Sequence, residues 1–134
     1  MEATGDLLMA AARTLRRRYG AAMARWEITP GQARALRVVC EAGALRLSAI
    51  ADELRIVPRS ATEVVDALQE RGLVIREADP ADRRATSVVP TARGRQVSAL
   101  LEEARTTQAE DLLAVLAPED RAALDRILRL IVEQ

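Results

Sequence analysis

A turn sequence between two β-branched stretches constrains the fold of this chain more than any other feature. The turn reads Asp79-Pro80-Ala81-Asp82-Arg83-Arg84, and it joins residues 74–78 to residues 86–89. Proline presets φ and an aspartate can bond the backbone two residues further on, so Asp79-Pro80 favours a tight turn. The flanking β-branched residues favour strands. The sequence therefore predicts a β-hairpin with two arginines at its tip.

Two short helices are predicted upstream of this hairpin. Residues 47–54 and 58–71 carry apolar side chains at helical spacing, and Arg55-Ile56-Val57 separates them. Pro58 is suited to the first position of the second helix, and Gly72 is suited to ending it. This second helix has one apolar face and one polar face. Such a pair, joined by a three-residue turn, is typical of a helix-turn-helix unit.

Four further helices are predicted around this unit. The first covers residues 5–27, and the second opens at Thr29-Pro30-Gly31-Gln32, which has the pattern of a capping box, and ends at Gly43 in a left-handed conformation. A long helix is expected from Thr91 to about residue 117, and a last one from Pro118. The fold class expected is mainly α with a small β-wing, a winged helix-turn-helix.

The first and last helices carry more apolar surface than one winged unit can cover. Large exposed apolar faces normally mark an interface. We therefore expect one intertwined domain with an N-terminal dimerisation helix at residues 1–29, a winged helix-turn-helix region at 30–95, and C-terminal dimerisation helices at 96–134. The alternative is a monomer whose terminal helices fold back on its own core.

The composition excludes several classes of protein. Tyr19 and Trp26 are the only aromatic residues, which disfavours a surface that stacks on unpaired bases. There is no histidine and only one cysteine, Cys40, so an intrachain disulfide is excluded and the usual zinc and haem sites are disfavoured. No glycine-rich phosphate loop is present. We therefore expect neither an enzyme nor a bound cofactor or metal.

No apolar run approaches the ~20 residues that a membrane-spanning helix needs. The first residues also lack the basic and then apolar layout of a secretion signal. The sequence therefore predicts a soluble cytoplasmic protein with no membrane partner.

The formal net charge is zero, but the charges are unevenly distributed. Residues 1–45 carry a net +3, residues 46–95 a net +1 and residues 96–134 a net −4. Every basic residue is arginine, whose planar group can fork onto a base edge or a phosphate. The zero total also leaves open another class of function, a winged-helix module for protein–protein interaction that does not bind DNA.

These motifs resemble the MarR family of bacterial transcriptional regulators. The resemblance runs from Ile28-Thr29-Pro30-Gly31-Gln32 to Thr91-Ala92-Arg93-Gly94, and its most specific part is the turn at residues 79–84. It implies a homodimer that binds a pseudo-palindromic operator in double-stranded DNA, commonly as a repressor released by a small molecule or an oxidant. It also implies that Arg84 enters the minor groove and that Asp82 helps to hold the tip. Arg83 is expected to contact phosphate.

The resemblance places further DNA contacts on the second helix of the helix-turn-helix. Arg59, Ser60, Thr62 and Glu63 would face the major groove. Arg59 can fork onto guanine, and the two hydroxyl groups can bond phosphates or base edges. Glu63 either accepts from cytosine or orients Arg59 one helical turn earlier, and we favour the second role. The alternative for all four residues is a solvated helix face.

Two aromatic residues and one thiol are candidate sensors. The resemblance implies a ligand pocket between the dimerisation helices and the winged unit. Tyr19 and Trp26 lie near the end of the first helix, so they can either stack on an aromatic effector in such a pocket or plug the core. Cys40 falls on the buried face of the second helix, where a thiol is inert and its pKa rises, so we expect a structural role rather than redox sensing. Val57 stands where many relatives place a Ser or Thr cap, and losing a cap costs roughly 0.5–2 kcal/mol.

Overall fold

The computed structural model describes all of residues 1–134. It contains six α-helices and one small antiparallel sheet, which confirms the predicted fold class. The helices are α1 (Thr4–Met23), α2 (Pro30–Ala42), α3 (Leu47–Leu54), α4 (Pro58–Glu70), α5 (Ala92–Leu113) and α6 (Pro118–Val132). The strands are β1 (Leu45–Arg46), β2 (Val74–Ala78) and β3 (Thr86–Pro90). None of the helices is both long enough and apolar enough to cross a membrane.

The start of α2 has the capping box that its sequence predicts. The Thr29 hydroxyl accepts a hydrogen bond from the Gln32 amide at 3.2 Å, and the Thr29 amide donates to the Gln32 side chain at 3.2 Å. Two of the amides that a helix start leaves unpaired are therefore satisfied. Gly43 follows the helix with a φ of 82°, which a residue with a side chain rarely adopts.

Three helices end earlier than predicted. The first helix is α-helical only to Met23 and then tightens into a 3₁₀ turn over Ala24–Trp26, because Glu27 takes a left-handed φ of 55°. The long helix α5 ends at Leu113 rather than near residue 117, since the chain turns there before Pro118 opens α6. The fourth helix ends one residue early, at Glu70.

The sheet has the strand order β1-β3-β2, and both neighbouring pairs are antiparallel. Strands β2 and β3 form the predicted hairpin, with Val74 opposite Pro90 and Ala78 opposite Thr86. Strand β1 was not predicted, because its two residues are too few to show an alternating pattern. It pairs Leu45 with Val88 and thereby joins the segment between α2 and α3 to the hairpin.

One aliphatic core holds the helix-turn-helix and the sheet together. The largest fully buried side chains come from α2, α3, α4, β2 and β3: Leu36, Val39, Ile50, Val65, Leu68, Val74 and Val88. Helix α5 joins this core through Val97 and Leu101 near its start. The winged unit and the long helix that leaves it therefore share one packed interior.

The terminal helices leave apolar side chains in solvent. Helix α6 has no buried residue. The exposed large apolar side chains on α1, α6 and the turn between α5 and α6 are Leu7, Leu8, Met9, Val115, Ile127, Leu128, Leu130, Ile131 and Val132. In the single chain, therefore, α6 does not fold back to bury its apolar face on the core.

The start of α5 packs backbone to backbone against the end of the helix-turn-helix. The Thr91 hydroxyl accepts from the Gly94 amide at 2.9 Å and donates to the Gly72 carbonyl at 2.7 Å. The Thr91 amide donates to the Leu73 carbonyl at 3.0 Å. Gly94 lies so close to that same carbonyl that an added Cβ would overlap it. Glycine at position 94 is thus required by space rather than by its φ.

We expect Gly94→Ala to lower the free energy of unfolding by roughly 1–3 kcal/mol, because the overlap is with backbone that must shift. Urea unfolding of the full chain, followed by circular dichroism, measures this change. Gly20→Ala is the matched control: an added Cβ there meets nothing within 4 Å, so stability should hold or rise. Equal stability of the two variants would contradict the close approach.

Candidate nucleic-acid interface

Helix α4 presents a polar face to solvent because its other face is committed to the core. Ala61, Val65 and Leu68 are buried, whereas Arg59 and Glu63 are exposed. The helix begins at Pro58 after an exposed, extended Val57 that makes no side-chain cap. Its first amides are thus left without the side-chain partner that a Ser or Thr would supply.

The predicted contact residues on α4 differ in how exposed their side chains are and in whether these already have a partner within the protein. The Arg59 side chain is 90% exposed, and its Nε lies 3.5 Å from Glu63 Oε1. This pairing is compatible with Glu63 orienting Arg59, and an exposed pair one turn apart is weak enough to exchange for another partner. The Thr62 hydroxyl donates to the Pro58 carbonyl at 3.2 Å, so it must rotate to reach a ligand. Ser60 is half-buried.

An ion pair joins α4 to the wing. Arg76 on β2 reaches Asp66 on α4 with an Nη2–Oδ1 distance of 2.6 Å, and it also donates to the Gln69 side chain. The sequence predicted no contact between Asp66 and Arg76. The contact was missed because a strand residue ten positions later has no local signal of pairing with a helix.

The wing tip is a turn organised by Asp82. Its carboxylate accepts from the Arg84 amide at 3.0 Å, and its carbonyl accepts from the Ala85 amide at 3.0 Å. The Asp82 amide in turn donates to the Asp79 carbonyl at 3.2 Å. These bonds agree with the supporting role expected for Asp82. The side chains of Arg83 and Arg84 are exposed and form no hydrogen bond or ion pair within the protein.

The base of the wing is pinned by the Asp79 carboxylate, whose side chain is 13% exposed. It accepts from Arg46 Nε at 2.8 Å and from the Ala81 amide at 2.8 Å. Its pKa is lowered, first by the hydrogen bond from Arg46 and then by the backbone amide of Ala81. Arg46 belongs to β1, so this pair ties the hairpin to the segment that opens the helix-turn-helix. Arg46 was not singled out from the sequence.

A cavity of about 310 Å³ lies between α1, α2 and α5, and Tyr19 lines it. The Arg105 guanidinium covers the Tyr19 ring at 4.9 Å from its centroid. Trp26, the other candidate to stack on an effector, does not line this cavity. The 3₁₀ turn after Met23 breaks the helical spacing between the two aromatics, and the Trp26 ring lies under the Arg25 guanidinium at 4.2 Å.

Cys40 is partly rather than fully buried, which corrects the expectation from its helical position. Its Sγ lies 4.0 Å from the Gly94 carbonyl oxygen, to which it donates. Burial is the main cause that raises the pKa of the thiol, and this outweighs the opposing effects of Ser98 and Arg95. The raised pKa agrees with a structural role for this side chain.

Comparison with known proteins identifies the family. A family model described as MarR family matches residues 28–86. A protein of Thauera aromatica, described as a candidate transcriptional regulatory protein for the hcr operon, is 33% identical over 107 residues. The match covers 80% of this chain and 64% of the length of that relative.

The chain belongs to the MarR family. The matched residues contain α2, β1, α3, α4 and β2, together with the turn that carries Arg83 and Arg84. The recognised part of the MarR pattern thus holds both surfaces described above, the polar face of α4 and the wing tip.

Solved structures extend the likeness in fold to nearly the whole chain. The reduced form of MarR from E. coli superposes with a TM-score of 0.89 at 20% identity and covers 98% of this chain and 97% of that one. A mutant of the same protein complexed with operator DNA gives 0.79 at 20% identity, covering 95% and 91%. BpsR of Bordetella bronchiseptica, whose DNA binding is regulated by 6-hydroxynicotinic acid, gives 0.80 at 24% identity, covering 99% and 95%. These likenesses place α1, α5 and α6 in the MarR fold.

The lowered pKa of Asp79 predicts how the wing anchor responds to pH. A carboxylate with a folded-state pKa below its unfolded value of 3.8 stabilises the fold above that value and loses this contribution as the pH falls through the folded-state pKa. The advantage of the wild type over Asp79→Asn should therefore be constant near pH 7 and shrink below pH 3.8. Urea unfolding across this range measures it.

The partner variant Arg46→Gln provides the matched comparison. Because Arg46 is the main cause of the shift, its loss should remove most of this pH-dependent part of the stability, and the backbone amide of Ala81 should retain the rest. A gap between wild type and Asp79→Asn that does not change with pH would show that the pair does not contribute through its charge.

Proposed function

We propose that this MarR-family protein is a transcriptional regulator that binds a pseudo-palindromic DNA operator as a homodimer. The single observation that carries the proposal is the pair of free arginines, Arg83 and Arg84, on a wing tip whose backbone is fixed by Asp82. Guanidinium groups without a protein partner on a rigid projection are suited to the narrow, strongly negative minor groove. A charged tip that served only solubility would not need such ordering.

The polar face of α4 is suited to the major groove, which admits a helix. In this proposal Arg59 forks onto guanine O6 and N7, while Glu63 holds it in position from one turn away. Ser60 and Thr62 contact phosphates or base edges after Thr62 leaves its intrahelical bond. Arg84 enters the minor groove beside the same half-site, and Arg83 contacts phosphate.

The dimer is proposed from the apolar faces that α1 and α6 leave in solvent. Ile127, Leu128 and Ile131 lie within about one turn of each other on the exposed surface of α6, and Leu7 and Leu8 are exposed on α1. Patches of this kind normally mark an interface. A two-fold dimer through the regions 1–29 and 96–134 would present two α4 helices about 34 Å apart, one turn of DNA.

We also propose that the regulator is a repressor released by a small-molecule effector, and that the effector binds in the cavity lined by Tyr19. Its size is near the lower end of ligand pockets, and it lies between the winged unit and the helices proposed to dimerise. The regulation of BpsR by a small aromatic acid is consistent with such a site. A regulator of a bacterial operator would act in the cytoplasm.

The wing contact is tested by a mobility shift with DNA from upstream of the protein's own gene. Arg84→Ala should weaken binding and reduce the slope of log K against log salt by about two, because a dimer loses one DNA-bound cation from each of its two wings. Arg126→Ala, which removes an equal charge from an exposed site on α6, should leave the slope unchanged.

Equal binding by the Arg84 variant and the wild type would remove the wing from the mechanism. No binding by the wild type, or binding indifferent to salt between 50 and 200 mM, would favour the other function, a winged-helix module for protein–protein interaction. The observation that favours this second function is the zero net charge of the chain, since proteins that bind DNA usually carry an excess of positive charge.

A further inference from the structure

The cavity between α1, α2 and α5 has an unbalanced set of charges in its wall. Four arginines line it, Arg16, Arg34, Arg37 and Arg105, against a single carboxylate, that of Glu102. The other lining residues include the apolar side chains of Met23, Ala33 and Leu101. A cavity with an apolar floor and several cations is suited to an organic molecule that carries a negative charge.

The one carboxylate lies between cations from two different helices. Glu102 Oε2 is 3.9 Å from Arg37 Nη1 on α2 and 3.6 Å from Arg105 Nη1 on α5. Arg37 belongs to the winged unit, whereas Glu102 and Arg105 belong to the helix that leaves it. The carboxylate therefore occupies the position in which one anion can pair with both helices at once.

Nothing else in the structure requires Glu102 to stay there. Its side chain is 54% exposed, so it can turn into water without leaving an unpaired buried charge. Arg105 has a second contact that does not involve Glu102, since its guanidinium covers the Tyr19 ring. Arg105 would thus remain in place for a new anion after Glu102 left.

We propose that Glu102 is an internal competitor for an anionic effector. Its carboxylate occupies the place of the effector's carboxylate, and displacing it is part of the binding reaction. Glu102 thereby sets both the affinity of the cavity and the strength of its preference for a negative charge. This inference rests on the effector site of the proposed function.

Calorimetric titration of the full chain with benzoate tests the competition, and benzamide serves as a neutral probe of the same shape. Glu102→Gln should raise the affinity for benzoate about five-fold, because the exposed pairs it removes are worth up to roughly 1 kcal/mol. The affinity for benzamide should not change. Arg37→Gln should lower the affinity for benzoate.

Glu103→Gln is the matched control. It makes the same change in net charge on the neighbouring residue of α5, but Glu103 does not line this cavity. It should leave the affinity for benzoate unchanged. Glu102 is exposed, so its variant should fold as the wild type does.

Three results would overturn the inference. Equal gains from Glu102→Gln and Glu103→Gln would show a long-range effect of charge rather than competition at one place. A parallel gain for benzamide would show a change in cavity shape. No benzoate binding by any variant would show that the cavity holds no carboxylate. The titration contains no DNA, so each of these results leaves the mobility-shift test of DNA binding standing.

Discussion

Two arginine–aspartate pairs hold the wing in a fixed position relative to the polar helix, and the proposed DNA interface depends on them. Arg46 and Asp79 pin the base of the hairpin to β1, and Arg76 and Asp66 brace β2 against α4. A helix and a hairpin can enter adjacent grooves together only if their relative position is set in advance. The Arg84 side chain has no partner within the protein and can therefore bind DNA, while hydrogen bonds hold the backbone beneath it in place.

Close packing also fixes the position of α5, the long helix that leaves the winged unit. Helix α5 enters the core at Val97 and Leu101, and its first turn lies against the backbone of Leu73 with no space for a side chain at Gly94. This close contact joins the first turn of α5 to the residue that directly precedes β2. If Glu102 is exchanged for a ligand that pairs with Arg37, the contact that changes is one between α5 and the winged unit.

The sequence predicted those parts of the fold that local chemistry determines. Thr29 caps its helix and Gly43 ends it, because capping and a positive φ depend only on neighbouring residues. The hairpin followed in the same way from its turn residues. Strand β1 did not, because two residues carry no periodic signal, and Arg46 could not be matched with a partner 33 positions away.

The same distinction between local and long-range interactions applies to the candidate sites. The tip residues around Asp82 have the bonds expected of them, since a turn is local. Tyr19 and Trp26 were both candidates to stack on an effector or to plug the core, but only Tyr19 lines the cavity, and Trp26 lies in the 3₁₀ turn that follows α1. The arginines of the cavity were invisible as a group because α1, α2 and α5 bring them together only in the folded chain.

Hydroxyl-radical footprinting on an operator selected from random DNA tests the central claim most directly. A dimer that presents two α4 helices and two wings should protect two symmetry-related half-sites about 10 base pairs apart, with a minor-groove protection beside each. The flanking protections should disappear with Arg84→Ala while the central ones remain. A single unsymmetrical patch, or bound DNA without minor-groove protection, would contradict the account.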